Sequence, residues 1–382
     1  MKIGITCYPT YGGSGIVATE LGMELAARGH EIHFISYANP IRLSTESPRI
    51  HYHEVEVSTY PLFQYPPYCL ALASRMAEVA ETARLDLLHV HYAIPHAVSA
   101  LLARQMRGDR LPFITTLHGT DITLVGADRS YLPIVKFSIE QSDGVTSISQ
   151  YLKERTLRVF DTRNEIRVIR NFVNCDLYRH NLDPGARAAY AAPEEKILVH
   201  LSNFRPVKRV ADAVRVMARV RREMPCKLLM IGDGPDRGPA EHLARELAVE
   251  DDVVFLGKQS RIPELLAIAD LMLLPSELEA FGLAALEAMA CSVPAVATHT
   301  GGVPELITDG VDGLLAPVGD VETMAAHALS LLTDRARYAQ VSAAARHTAE
   351  TRFCTTLIIP QYEEYYHEVC SRSSARRRNS GS

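Results

Sequence analysis

The most chemically loaded stretch of the chain is Ser276-Glu277-Leu278-Glu279-Ala280-Phe281-Gly282-Leu283-Ala284-Ala285-Leu286-Glu287-Ala288-Met289-Ala290. Glu279 stands just before a helical pattern, and seven residues separate it from Glu287 in the second turn. The amides of Phe281, Gly282 and Leu283 form the helix start, where free N–H groups suit a phosphate. Glu287 interrupts an otherwise Ala/Leu/Met helix. An unpaired buried carboxylate is costly, so hydroxyls of a ribose lying along the helix are its expected partners. Upstream, Ser202-Asn203-Phe204-Arg205-Pro206-Val207-Lys208-Arg209 sets three cations within five residues after an apolar run. Cations oppose the dipole of a helix they begin, and an arriving diphosphate would reverse that penalty. A solvated basic helix start is the alternative.

Further groups stand where apolar runs end. Tyr11-Gly12-Gly13-Ser14-Gly15 follows the first such run, and its glycines let a ligand approach the backbone at a helix start. It is not the dinucleotide pattern Gly-x-Gly-x-x-Gly, because Ala18 stands three residues beyond Gly15. A tight turn is the plainer reading. His89, His91 and His96 crowd a second run end, but His96 lies past Pro95 and no carboxylate accompanies them, so no metal is expected. His118 follows a third run with Thr116, Thr120 and Asp121, where Asp121 is expected to orient the imidazole. A solvated loop histidine is the alternative. Gly232-Asp233-Gly234-Pro235 and Leu256-Gly257-Lys258-Gln259 offer places for a base ring, and Gly301-Gly302 supplies one more close-approach loop.

The elements that must position these residues alternate along the chain. Short apolar runs at 3–8, 32–37, 52–57, 87–91, 113–117, 144–148 and 166–169 predict strands, with helical patterns at 16–28 and 72–84 among them. The alternation restarts at Lys196: strands at 196–201, 227–231, 253–256, 271–274 and 294–297, helices at 209–223, 240–247, 262–268 and 283–289. Strands apolar throughout are buried on both faces, as in parallel sheets. The polar join 178–195 carries Pro184, Gly185 and Pro193. This predicts an α/β chain with a domain at 1–180, a second at 181–355, and a segment 356–382 made of a helix packing back on the first domain plus a disordered tail. Helices at 323–332, 338–350 and 357–370 close the chain, and Arg376-Arg377-Arg378 falls in the tail.

Composition bounds the rest. The 382 residues are 47% hydrophobic and 22% charged, with a formal charge of −5, which gives no sign of a nucleic-acid partner. Seven scattered cysteines without a Cys-x-x-Cys pair argue against disulfides and zinc and for a reducing compartment. With no charged leader, no long apolar run and no basic amphipathic helix, a cytoplasmic protein without membrane contact is expected.

Taken with Asn203 to Lys208 upstream and Gly301-Gly302 downstream, the Glu279–Glu287 pair resembles the retaining GT-B glycosyltransferases, the family of glycogen and sucrose synthases. The resemblance spans nearly the whole chain. Four stretches narrow it: Gly4-Ile5-Thr6-Cys7-Tyr8-Pro9, His91-Tyr92-Ala93-Ile94-Pro95-His96-Ala97, Leu117-His118-Gly119-Thr120-Asp121-Ile122-Thr123 and Ser202-Asn203-Phe204-Arg205-Pro206-Val207-Lys208-Arg209-Val210. These are similar to the branch that joins N-acetylglucosamine to L-malate in bacillithiol biosynthesis.

The resemblance implies two Rossmann-like doubly wound domains facing a central cleft, UDP-N-acetylglucosamine as donor, L-malate as acceptor and no cofactor. It implies that Glu279 holds sugar hydroxyls, Glu287 the ribose, and Lys208 and Arg205 the diphosphate, while His118 contacts the sugar near the reacting carbon. Many relatives carry Arg where Asn203 stands, which is why Arg205 is given the second cationic role. Gly13, Ser202, Asn203, Gly232, Gly257, Lys258, Phe281, Gly282 and Leu283 complete the expected donor site. Ser14, Tyr92, Thr116 and Lys136, with Arg129 as another source of charge, are the expected acceptor groups. A homodimer is compatible with the sequence. A GT-B enzyme with another small-molecule or lipid acceptor, and a non-catalytic nucleotide-sugar sensor, are the rival readings.

Overall fold

The computed structural model describes residues 1–10, 12–44, 46–58, 61–62, 64–123, 126, 128–180 and 184–380, with backbone alone at 184 and 376–380. Tyr11 of the glycine-rich turn, the side chains of the basic tail and the last two residues lie outside that description. The chain divides into two compact units, Met1–Arg170 with Ile358–Ser382, and Asn171–Leu357.

In the first unit β1 (Lys2–Thr6), β2 (Glu31–Ser36), β3 (Ile50–Glu54), β4 (Leu87–His91), β5 (Phe113–Leu117), β6 (Gly144–Ser147) and β7 (Ile166–Val168) form one sheet in the order β3-β2-β1-β4-β5-β6-β7. Every pair is parallel. β4 and β5 are buried end to end, as strands covered on both faces must be. On one face Ile35, Leu88 and Val90 pack with Leu72, Met76 and Val79 of the Tyr68–Thr82 helix.

In the second unit β8 (Lys196–Leu201), β9 (Cys226–Ile231), β10 (Val253–Gly257), β11 (Leu271–Leu274), β12 (Ala295–Thr298) and β13 (Gly313–Ala316) run parallel in the order β10-β9-β8-β11-β12-β13. Val214 and Met217 of the Val210–Glu223 helix and Ala328 and Leu331 of the Val321–Thr333 helix pack in one core with Leu198, Leu228 and Val296. Both sheets have the doubly wound strand order. Loops leaving β1 and β4, and those leaving β8 and β11, therefore diverge and leave a crevice at the strands' carboxyl ends.

Three sequence expectations shift. β13 was not foreseen, because Gly-Leu-Leu-Ala lacks the β-branched signature, yet it pairs over four residues with β12. The division falls at 170/171 rather than 180/181. Val173 donates its N–H to Phe353 O at 2.9 Å and accepts from Thr355 N–H at 3.0 Å, pinning the strand-like segment to the second unit. The last helix runs from Thr355 to Ser380, past the expected end near Cys370, since no glycine or proline interrupts it after Pro360. Its Tyr362 and Tyr366 are buried in the first unit, Tyr365 Oη accepts Val145 N–H at 3.0 Å, and Glu363 pairs with Arg28 at 2.9 Å. Among the described residues no helix is long and apolar enough to cross a membrane.

Candidate active site

In the second unit the crevice between β8 and β11 gathers the residues singled out first. Pro206–Lys208 forms one tight 3-10 turn, from which Lys208 Nζ donates to Glu279 Oε1 at 2.6 Å. Ser276 Oγ donates to the same oxygen at 2.8 Å. Glu277 N–H to Val207 O at 2.8 Å ties the two loops through their backbones. The Lys208 and Glu279 side chains are 22% and 11% exposed, so the pair is sheltered but open on one side. Such a pair is a preorganised charge rather than a source of stability, because desolvation offsets much of its attraction.

Gly301 and Gly302 make this possible. A Cβ on Gly301, whose φ is +56°, would stand 1.9 Å from Glu279 O, and one on Gly302 would stand 2.2 Å from Ala280 O. The close approach these glycines permit is therefore made by the chain itself, whatever else binds. Beyond Ala280 the Leu283–Ala290 helix begins at Gly282, φ +100°, with no side-chain cap, so its first-turn amides keep their donors. Phe281 anchors that start, buried edge-on against Phe353 with ring centroids 5.4 Å apart.

Glu287 has a structural partner that its sequence neighbourhood did not reveal. It is 3% exposed, and Tyr178 Oη donates to its Oε1 at 2.6 Å. Arg346 fixes Tyr178 in turn, donating to Tyr178 O at 2.6 Å, to Cys175 O at 3.1 Å and to Ala290 O at the helix end.

Among the other expected donor contacts, Ser202 is corrected. Leu273 O can only accept, so His200 donates through Nδ1 at 3.0 Å, and its Nε2 accepts from Ser202 Oγ at 2.8 Å. Ser202 Oγ also takes Phe204 N–H at 3.3 Å, which uses the hydroxyl inside the fold. Asn203 Oδ1 is buried and meets no hydrogen-bond donor among the described residues, an orphan acceptor beside the Lys208 turn. Gly232 donates to Gly257 O at 2.8 Å, and a Cβ on it would stand 1.8 Å from Ser202 O. Arg205 is exposed and has no ion-pair partner among the described residues, and Lys258 is exposed.

In the first unit the crevice beside β1 and β4 holds a histidine chain. His91 Nδ1 and His118 Nε2 share a hydrogen at 2.8 Å, while His118 Nδ1 has no partner among the described residues. Tyr92, at φ +93°, lays its ring on His118 with centroids 5.6 Å apart, and Ser14 Oγ donates to its Oη at 3.3 Å. Gly13 is exposed at the first position of the Gly13–Ala27 helix. Burial pushes His118 and His89 down to about 3 and His96 down to about 4, so these imidazoles are neutral at pH 7.

Three further expectations change here. Asp121 does not touch the His118 ring; its carboxylate accepts the backbone N–H groups of His118, Gly119 and Ala93 at 3.2, 2.9 and 3.2 Å. Burial raises it to about 6 against the lowering effect of those bonds. Thr116 is fully buried, its hydroxyl 2.7 Å from His89 Nε2 and 2.6 Å from Thr146 Oγ1, so it offers nothing to an acceptor. Lys136 is committed to the end of the Gln150–Phe160 helix, donating to Phe160 O at 2.7 Å and Asp161 O at 2.6 Å, where a cation offsets the helix dipole. His89 has both nitrogens engaged, with Thr116 and with Tyr366 Oη at 2.8 Å.

Sequence reading missed Tyr178, Ser276, His91 and Arg346 as supports of the site. Ser276 and His91 lie inside quoted motifs, whereas Tyr178 and Arg346 carry no local signal, being 109 and 59 residues from Glu287.

Comparison with known proteins identifies the family. The model of Glycosyltransferase Family 4 matches residues 11–177, and that of Glycosyl transferases group 1 matches residues 186–348. The chain is 50% identical over 97% of its length, and 97% of the relative's, to N-acetyl-alpha-D-glucosaminyl L-malate synthase of Bacillus anthracis. Sucrose-phosphate synthase from Thermosynechococcus elongatus shares its fold with a TM-score of 0.80 at 23% identity, covering 97% of this chain and 100% of that one. The Anabaena protein HepE in complex with UDP-glucose does so with a TM-score of 0.80 at 22% identity, covering 96% and 100%. On these grounds the chain belongs to the GT-B glycosyltransferase family, in the branch that contains N-acetyl-alpha-D-glucosaminyl L-malate synthase.

Proposed function

We propose that this glycosyltransferase moves N-acetylglucosamine from UDP-N-acetylglucosamine to the hydroxyl of L-malate with retention at the anomeric carbon, giving GlcNAc-malate for bacillithiol biosynthesis in the cytoplasm. The observation that carries the reading is Lys208 held 2.6 Å from Glu279 beside the uncapped start of the Leu283–Ala290 helix. The 50% identity to a synthase of that name supports the choice of substrates.

The chemistry follows from where charge appears. The bond from the anomeric carbon to the β-phosphate oxygen breaks, and negative charge builds on the leaving UDP. Lys208, Arg205 and the amides of Phe281, Gly282 and Leu283 meet that charge, in a site where donors already fixed in place lower the barrier most. These groups leave no step that requires a divalent ion. The malate hydroxyl oxygen bonds to the same face of the sugar, and its proton passes to the departing phosphate. Glu279 orients sugar hydroxyls through the oxygen not held by Lys208 and Ser276, and Glu287 accepts the ribose. Asn203, Gly232, Gly257 and Lys258 border the nucleotide. Neutral His118 offers Nδ1 to the sugar, Gly13 borders the donor, and Ser14 and Tyr92 stand on the acceptor side.

UDP release from UDP-N-acetylglucosamine, measured with L-malate and with a panel of sugars, inositol phosphate and lipid acceptors, tests the substrates. Stimulation by L-malate and an α-linked product by NMR are expected. Lys208→Ala should lower kcat about a hundredfold, a loss of roughly 3 kcal/mol. Stimulation by another acceptor alone, or an unchanged kcat in Lys208→Ala, overturns the reading.

A further inference from the structure

At the opposite end of the first unit's sheet, where β2 and β3 begin, four side chains with metal-ligating atoms share one face. Residues two apart on a strand project to the same side, and the pairing sets His33 opposite His51. Glu31 and His33 of β2 therefore meet His51 and His53 of the edge strand β3. Glu31 Oε1 is 3.2 Å from His33 Nε2 and 3.7 Å from His51 Nε2. One ligand atom from each of Glu31, His33 and His51 lies within 4.8 Å of the others. Zinc bound tetrahedrally at about 2.0–2.2 Å keeps its ligand atoms about 3.3–3.6 Å apart, so the separations of 3.2 and 3.7 Å need to change only slightly to fit a tetrahedral edge.

The surroundings orient the donors. His33 Nδ1 lies 2.9 Å from His53 Nε2. Glu31 Oε1 can only accept, so without a metal His33 Nε2 donates to it and Nδ1 accepts from His53. A metal on Nε2 moves that hydrogen to Nδ1, which then donates to His53 as a metal-bound histidine does to its outer support. The His33 and His51 rings stack with centroids 4.6 Å apart, holding both nitrogens to one side. His33 is sheltered at 5% exposed, whereas His51 at 41% and Glu31 at 33% leave an entrance from solvent. Lys2 Nζ, 43% exposed, stands 3.2 Å from Glu31 Oε2 and donates to Oε1 at 3.3 Å, so it competes with a metal for the carboxylate. Arg75 and Glu78 of the covering helix bring one charge of each sign toward His53, the Arg75 cation acting more strongly and favouring the neutral ring.

We propose that Glu31, His33 and His51 form a binding site for a zinc-class divalent ion, with His53 as its outer support and a fourth position open to water. The site clamps the edge strand β3 to β2 and stands apart from the glycosyl-transfer groups. Its two imidazoles and one carboxylate suit zinc or cobalt(II) rather than magnesium or calcium, which take oxygen.

The test is titration of the purified full chain with zinc chloride by calorimetry, alongside its thermal midpoint and its cobalt(II) absorption spectrum. One zinc per chain, a raised midpoint and the intense visible bands of four-coordinate cobalt are expected. His33→Ala combined with His51→Ala should abolish all three. His53→Phe should weaken zinc by about tenfold to a hundredfold while leaving one site. Lys2→Ala, which removes the competing cation, should tighten it. Absence of binding, or binding unchanged in the double variant, overturns the site, and weaker zinc in Lys2→Ala overturns the assigned role of Lys2.

Discussion

Glu287 shows how a single residue can be legible in type and hidden in context. A carboxylate in an Ala/Leu/Met helix signals a polar partner, and the sequence pointed to a ligand. The fold adds a protein partner as well, the Tyr178 hydroxyl at 2.6 Å, supplied from the far side of a long stretch of chain. Tyr178→Phe should remove one donor from that buried oxygen and lower stability by about 1–3 kcal/mol. It should also loosen the carboxylate that the ribose is proposed to meet, weakening UDP binding with little change in kcat. Denaturant unfolding and UDP titration read both effects, and an equally stable variant would show that Tyr178 does not hold Glu287. Thr116, Lys136 and Ser202 teach the converse. Each has a residue type that suits substrate, and each is spent on a fold contact that only the folded partner reveals.

Among elements, the strands and most helices follow from apolar runs and 3.6-residue periodicity, because a parallel sheet buried on both faces writes itself as uninterrupted hydrophobic segments. β13 escaped because Gly313-Leu314-Leu315-Ala316 resembles a turn until β12 pairs with it. The loops carry the finer design. The Gly301-Gly302 turn presses against the backbone of Glu279 and Ala280, which sets the height of the Lys208–Glu279 pair above the sheet. Gly301→Ala places a methyl at 1.9 Å from Glu279 O on a residue at φ +56°. The loop must shift, so stability should drop by about 1–3 kcal/mol and kcat/KM should fall, although no group presumed to touch substrate has been altered. Wild-type kinetics in this variant would mean that the turn does not position Glu279.

Across the whole molecule, burial keeps a set of histidines uncharged. His89 and His118 are pushed down to about 3, His96 and His200 to about 4, and His91 well below its usual value, desolvation being the first cause in each. An imidazole in the unfolded chain takes its proton near about 6.5. Below that pH the unfolded state binds protons that the folded state refuses, so this stabilisation is complete above 6.5 and drains as pH falls toward 4. Asp121, raised to about 6, acts in the opposite direction, since protonation relieves its burial, but it is one group against five. The thermal midpoint should therefore be flat from pH 8 to 7 and fall steadily between pH 6.5 and 4.5, before most carboxylates titrate. A midpoint constant over that interval would contradict the buried neutral state. At this scale the sequence alone determined the two doubly wound units, most of the strands and the residue types gathered at their ends, because hydrophobic periodicity and glycine placement are local. Only the tertiary structure decided which polar side chains are left for a ligand. That depends on partners brought in from distant strands and helices, and one amino acid's type cannot say which hydroxyl or ammonium the fold will use for itself.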